Sequence, residues 1–234
     1  MLIGAMMLVA GSLLASDAED VKAAAKKLAD QSSYSWKTTV SMPDNSGGGG
    51  RFRPGPTEGK TEKDGYTSLS MTRGENKIEA LVKGEKGAAK MEDEAQSLKE
   101  LEGDGQPGIG AFMARRLRNY KTPASEAMDL AGKTKEIKKE GDMYSGDLTD
   151  EGAKGLLTFG GGRGGNSAPE PKGAKGSVKF WIKDGQLSKY EYKVAGTMSF
   201  NGEDRDVERT TTIEIKDVGK TKVEVPEDAK KKLS

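Results

Sequence analysis

The chain has 234 residues, 33% of them hydrophobic and only 6% aromatic, so it can bury a core but not a thick one. Its 38 Lys and Arg balance 37 Asp and Glu, and the net charge of +1 excludes both the basic excess of a dedicated nucleic-acid binder and the acidity of a tail protein. With no His and no Cys, it has no disulfide, no zinc site of the usual kind and none of the common nucleophile–base pairs.

Met1 to Ala15 is apolar and carries no charge. A spanning helix needs about 20 apolar residues, so this run is too short to cross a bilayer and has the length of the apolar region of a signal peptide. A signal peptide is therefore expected over residues 1–16, with Ala15, Ser16 and Ala18 as small residues for cleavage. The rest is expected as a soluble exported protein of the periplasm or cell envelope, with no transmembrane span after signal removal. No Lys or Arg precedes the apolar run, which points to a start further upstream. Leu14-Ala15-Ser16 resembles the beginning of a lipoprotein box, but Asp17 stands where the lipidated cysteine would be, so no lipid anchor is expected there.

Ser16 and Glu19 have capping-box spacing, and the helix predicted over Asp20 to Gln31 places Val21, Ala24, Ala25 and Leu28 on one stripe. Strict alternation follows, with Tyr34, Trp36, Thr38, Val40 and Met42 on one face of a half-buried strand that Pro43 ends. Asp44 to Pro56 reads as a Gly/Arg/Pro loop. Three strands are predicted next: Thr67 to Arg73 with Leu69 and Met71 inward, Lys77 to Lys83 with Ile78, Ala80 and Val82 inward, and Lys86 to Met91. Gly74-Glu75 and Gly84-Glu85 supply their turns.

The middle reads as helical. Phe112 to Tyr120 puts Met113, Leu117 and Tyr120 on one side. Thr122 caps a second helix that has Pro123 at its first position and runs through Leu130 to Gly132. A hairpin of Lys133 to Lys139 and Met143 to Leu148, turned by Gly141-Asp142, precedes a third helix capped by Thr149 and running through Leu157. Gly160 to Gly173 reads as a second loop.

The last third is a meander. Ser177 to Lys183, Ser188 to Phe200 and Asp206 to Lys216 are predicted strands, turned at Asp184-Gly185 and Asn201-Gly202, with one apolar face. Val223 and Val225 read as a final strand, ended by Pro226 before a basic tail. The element order lacks the alternation of βαβ units, so the fold class is α+β. The expected shape is a curved antiparallel sheet with helices on one face, formed by residues 17–234 as one domain with helices inserted at about 112–158.

No catalytic constellation assembles from these residues, and no enzyme is expected. GGGRGG at Gly160 to Gly165 follows a helix, not a strand, so it reads as a linker and not a phosphate cradle. Arg51, Arg53 and Arg163 sit in glycine-rich loops and read as surface loops, not a single-strand nucleic-acid site. Asp104 lacks the alternating ligand series of a calcium loop. No cofactor or metal is expected. The aromatic residues on the strand faces fit either a packed core or a Met-rich hydrophobic groove.

Lys179-Phe180-Trp181-Ile182 with Asp184-Gly185, the strand ending Thr212-Ile213-Glu214-Ile215, and Val223-Glu224-Val225-Pro226-Glu227-Asp228-Ala229 resemble the last strands of the LolA/LppX-like lipoprotein-carrier superfamily. The N-terminal helix leading into an aromatic strand is similar as well, as are the helices set between two groups of strands. The resemblance implies a half-open antiparallel barrel with helices plugging its concave face, and carriage of acyl chains in the periplasm or cell envelope.

Two functions stay open on this reading, with an enzyme that uses carboxylates alone as a weaker third. One is a non-catalytic binding protein for a lipid or acyl-chain ligand, lined by Trp36, Leu69, Met71, Val178, Phe180, Tyr190, Tyr192 and Met198. The other is a structural module of the envelope that binds a protein partner and has a filled core, sealed by Phe112, Met113, Leu117 and Leu156. No nucleic-acid partner is expected.

Overall fold

The structure, a computed structural model, describes residues 16–43, 55–63, 65–73, 76–90, 94–103, 108–159, 170–200 and 202–233. The expected signal segment up to Ala15, most of both Gly-rich loops with Arg51, Arg53 and Arg163, and the turns at Gly74-Glu75 and Asp104 lie outside the described residues.

In chain order the elements are α1 (Asp17–Ala29), β1 (Ser33–Ser41), β2 (Thr57–Glu62), β3 (Thr67–Arg73), β4 (Asn76–Lys83), β5 (Lys86–Lys90), β6 (Ala95–Ser97), α2 (Leu98–Glu102), α3 (Ile109–Arg118), α4 (Pro123–Gly132), β7 (Lys138–Glu140), β8 (Met143–Asp147), α5 (Asp150–Phe159), β9 (Lys172–Lys183), β10 (Gln186–Phe200), β11 (Glu203–Lys216) and α6 (Glu227–Lys232). All eleven strands join one antiparallel sheet in the order β6-β5-β4-β3-β2-β1-β11-β10-β9-β8-β7. The first and last strands of that order do not pair, so the sheet stays open.

Eleven strands laid flat would be about 50 Å across. Yet one contiguous core draws side chains from β1, β3, β4, β5, β8, β9, β10 and β11, together with α1 to α5. The sheet therefore curls around the helices as a half-open barrel. Register shifts in β10 at Leu187/Lys189 and Ala195/Thr197 bend its longest strand, as bulges do. The fold class read from the sequence is the one observed.

Local signals explain most elements. The Ser16 hydroxyl accepts the Glu19 N–H at the start of α1, and the stripe of Val21, Ala24, Ala25 and Leu28 is buried as expected. The Thr122 hydroxyl accepts the Ser125 N–H ahead of Pro123. The turn between β9 and β10 has φ of 53° at Asp184 and 69° at Gly185, the double left-handed geometry that suits the twist of a tight hairpin.

Several expectations need correction. The supposed strand at Val223 and Val225 is irregular, with the Val223 N–H donating to the Glu62 side chain. Both valines pack instead against a second, smaller core of Leu81, Ala88, Ala95, Ala229 and Leu233 on the opposite face of the sheet. The basic tail after Pro226 is the helix α6, held there by Ala229. Strand β9 begins at Lys172 and takes in the end of the second glycine-rich segment. Elements β2, β6 and α2 were not anticipated.

Both sheet edges are protected from pairing with another chain. β7 is short and wholly charged, and its Lys139 N–H donates to Asp17 of α1. β6 is flanked by α2 and α6. The Lys232 ammonium of α6 donates to Glu100 of α2, inside a capping box in which Glu100 also accepts from Ser97. Lys232 first, then Ser97, hold the Glu100 carboxyl down to about 2. A lowered acid stabilises the fold above the ordinary carboxylate range, and that contribution is lost as pH falls from there through about 2. An NMR titration should show Glu100 still ionised below the usual carboxylate range. Lys232→Ala should return it to the ordinary range; an unchanged titration would remove the ion pair from this edge.

Candidate functional site

Strand parity sets the inner face. Trp36 lies opposite Ile215 on one side and Gly59 on the other; Gly59 opposes Leu69, and Leu69 opposes Ala80. A second cross-strand row runs Tyr144, Phe180, Tyr190, Ile213, Thr38, Thr57, Met71, Ile78. A third joins Val178, Tyr192, Thr211 and Val40. All eight candidate lining residues point into the concave side and belong to one core, each at most 9% exposed.

The face is aromatic with polar tips. Trp36 stacks on Tyr120 at 6.4 Å between ring centroids and tilts against Tyr34 at 5.7 Å. Phe180 packs beside Tyr190 at 6.3 Å. Two sheet tyrosines reach α4 through their hydroxyls. Tyr190 donates to Glu126 Oε2 at 2.6 Å, and Tyr192 makes a longer bond of 3.5 Å to Oε1. Tyr190 and Tyr192 thus fill the core with their rings while their tips fasten a helix. Burial raises the Tyr34 hydroxyl, against the lowering effect of Thr122 and Ala124 in the first turn of the same helix.

Burial raises the Glu126 carboxyl, against the lowering effect of the two tyrosine hydroxyls and of Lys121. Burial first, then the negative charge of Glu126, pushes Tyr190 and Tyr192 up, so both remain donors at ordinary pH. The Tyr120 hydroxyl is buried in the same place and has no hydrogen-bond partner.

Two arginines border this cluster. Arg116 of α3 donates to the Thr57 hydroxyl at 3.3 Å. Arg209 of β11 donates to the Leu156 carbonyl in the last turns of α5. Burial lowers both guanidinium pKa values, and Tyr192 is the group whose charge both feel. Neither has a carboxylate within ion-pair distance among the described residues. An apolar concave face therefore ends in a carboxyl, an unpartnered hydroxyl and two arginines.

Sequence reading found the apolar rows but missed Glu126, Tyr120's orphan hydroxyl, Arg116 and Arg209. Arg209 did carry a signal: it shares the inward parity of Val207, Thr211, Ile213 and Ile215. Glu126 carried none, since one acid in an alanine-rich helix reads as a solvated charge.

The concave side is closed in this conformation. Of the four side chains expected to seal it, Met113 and Leu117 are buried and Leu156 packs on the core, while Phe112 turns outward. Two depressions of about 480 and 470 Å³ lie elsewhere, one bordered by Glu102, Ala111, Arg115 and Arg118, the other by Asp20, Lys27, Tyr144 and Asp184. None of the eight lining residues borders either.

Among the described residues no group of three His, Cys, Asp or Glu side chains is placed to hold a metal ion, and no helix is long and apolar enough to cross a membrane. No family model matches the chain. No curated protein matches it either. Among solved structures, it is similar to LprF from Mycobacterium bovis, with 12% identity, a TM-score of 0.46, and coverage of 91% of this chain and 97% of that one. It is also similar to the Mycobacterium tuberculosis lipoprotein LppX, with 9% identity, a TM-score of 0.48, and coverage of 90% and 98%.

Proposed function

We propose that residues 17–234 act as a single-domain, non-catalytic carrier of a hydrophobic or acylated molecule, exported to the periplasm or cell envelope. The eight inward residues would receive the apolar chain, and α3 and α4 would yield to admit it. The observation that supports this most is the Tyr120 hydroxyl: buried, unpartnered and stacked on the aromatic row. An unsatisfied buried hydroxyl costs about 1–3 kcal/mol. A ligand ester or acid oxygen would supply the missing partner. Each methylene buried beside Trp36 and Met71 would add about 0.8 kcal/mol, so a short acyl tail suffices for useful affinity.

The prediction separates stability from binding. Tyr120→Phe should stabilise the empty protein by about 1 kcal/mol while weakening uptake of a fluorescent fatty acid about two- to tenfold, the worth of one hydrogen bond. Denaturant melts and a fluorescence titration measure the two effects. Mass spectrometry of organic extracts from protein purified out of its native envelope should show a co-purified lipid. Absence of both a bound lipid and probe uptake would end the carrier reading.

A second reading has an observation in its favour. Met113, Leu117 and Leu156 already fill the concave side, as a structural module with a protein partner and no ligand requires. On that reading Tyr120→Phe changes stability alone.

A further inference from the structure

The inward positions of β11 run Val207, Arg209, Thr211, Ile213 and Ile215, and Arg209 is the one charged side chain among them. β11 is a central strand, flanked by β1 and β10. An inward cation there loses water, and burial lowers its guanidinium pKa accordingly.

Strand register brings a second cation to the same place. Tyr192, Thr211 and Val40 form one cross-strand row. Arg209 stands one inward position beyond that row, just past the last β1 pair, Ser41 with Thr210. Thr57 stands in the next row on the other side, opposite Thr38, and Arg116 reaches it from α3 at 3.3 Å. Adjacent inward rows are about 7 Å apart, so two arginine side chains flank the Tyr192 row from either side. The charge of Tyr192 bears on both of them. Arg116 meets solvent and Arg209 is half-buried, which makes this the rim of the concave face.

Each arginine has a local task. Arg209 donates to the Leu156 carbonyl near the end of α5, as arginines often do at helix ends, and Arg116 ties α3 to β2. Both of these partners are neutral oxygens, so neither cancels a charge. The acid of the cluster, Glu126, is turned to Tyr190 and Tyr192. Two cations held by neutral partners at the rim of an apolar face are complemented by an anion that carries an apolar tail. A wholly apolar ligand would leave them uncompensated.

We propose that this rim binds the acid group of an anionic amphiphile, a carboxylate or a phosphate, between Arg209 and Arg116, with its hydrocarbon chain laid on the rows of Trp36, Met71 and Phe180. This rests on the carrier reading and narrows it to ligands with a negative head.

The test is equilibrium dialysis of the full chain against decanoate, decyl phosphate and decanol at neutral pH. The anions should bind at least about tenfold more tightly than decanol. Arg209→Gln and Arg116→Gln keep a donor for Leu156 and Thr57 but remove the charge, and each should lower anion affinity several-fold, more than decanol affinity. Arg209→Lys should recover much of the preference. Lys193→Gln removes the same charge on the outward face, beside Glu208, and should keep the preference intact. Should Arg209→Gln melt early, Arg116→Gln decides alone, because its side chain meets solvent. A preference shown by only one of the two anions supports the proposal and identifies the head. Decanol binding as tightly as both anions, or glutamine variants that keep the preference, would overturn it and leave the carrier reading standing. Binding of none of the three would end both.

Discussion

Gly59→Val is expected to cost more than about 3 kcal/mol in a denaturant melt, although valine is the better strand residue. A Cβ placed at Gly59 falls 2.1–2.6 Å from three atoms of the six-membered ring of the Trp36 indole, which lies across the bare backbone of β2. The indole cannot retreat inward, because Tyr120 stacks on it and Tyr34 leans against it. Valine must therefore expel Trp36 from a site where it is 5% exposed. The result joins the overpacking penalty, about 1–3 kcal/mol, to much of the loss of a buried aromatic, about 3–5 kcal/mol. The chain has two tryptophans, and Trp181 is already partly exposed, so a red shift in native emission reports Trp36 directly. Gly155→Ala is the contrast: it sits in α5 with nothing near its missing Cβ and should stabilise by up to about 1 kcal/mol. A Gly59→Val protein as stable as the wild type, with unshifted emission, would show that the indole does not rest there.

The same pair shows what the sequence made legible. Trp36 was readable because its strand alternates apolar and polar residues, as were Phe180 and Tyr190. β2 was not, because Thr57 to Glu62 has no apolar side chain at all. Its inward positions hold Thr57, Gly59, emptied for Trp36, and Thr61, whose hydroxyl pairs with that of Thr67 at 2.7 Å. Hydrophobic periodicity cannot report a strand whose contribution is to leave room. The error at Val223 and Val225 has a related cause: alternate valines fit a strand, but also two anchors of an irregular segment lying on the second core. Long-range partnerships were invisible as well. Glu126 gains its role from tyrosines 64 and 66 residues away in the chain, and nothing in its own helix announces them.

Glu126 is the polar centre of that arrangement, and its removal should be felt in two separable ways. Glu126→Leu leaves the Tyr190 hydroxyl buried without its 2.6 Å partner and should destabilise by about 1–3 kcal/mol. Glu126→Gln keeps an oxygen for Tyr190 and an amide that Tyr192 can accept from, so its cost at low pH should be small. The two carboxyl states then separate with pH. Burial raises the folded-state pKa of Glu126 above its unfolded value. Between those two values the unfolded chain has released the proton and the folded protein still holds it, so stability falls as pH rises. Below the unfolded value there is no penalty, and above the folded value it is complete. The stability of the wild type relative to Glu126→Gln should therefore decline as pH rises out of the ordinary carboxylate range, and then level off. Most other titrating groups are common to both proteins and cancel in the difference. Paired denaturant melts across acid to neutral pH give the curve, and hydrogen exchange in α4 should quicken where the difference grows, because Glu126 fastens that helix to β10. A flat difference across the whole range would mean that Glu126 stays solvated, and that the tyrosine clamp over the concave face does not form.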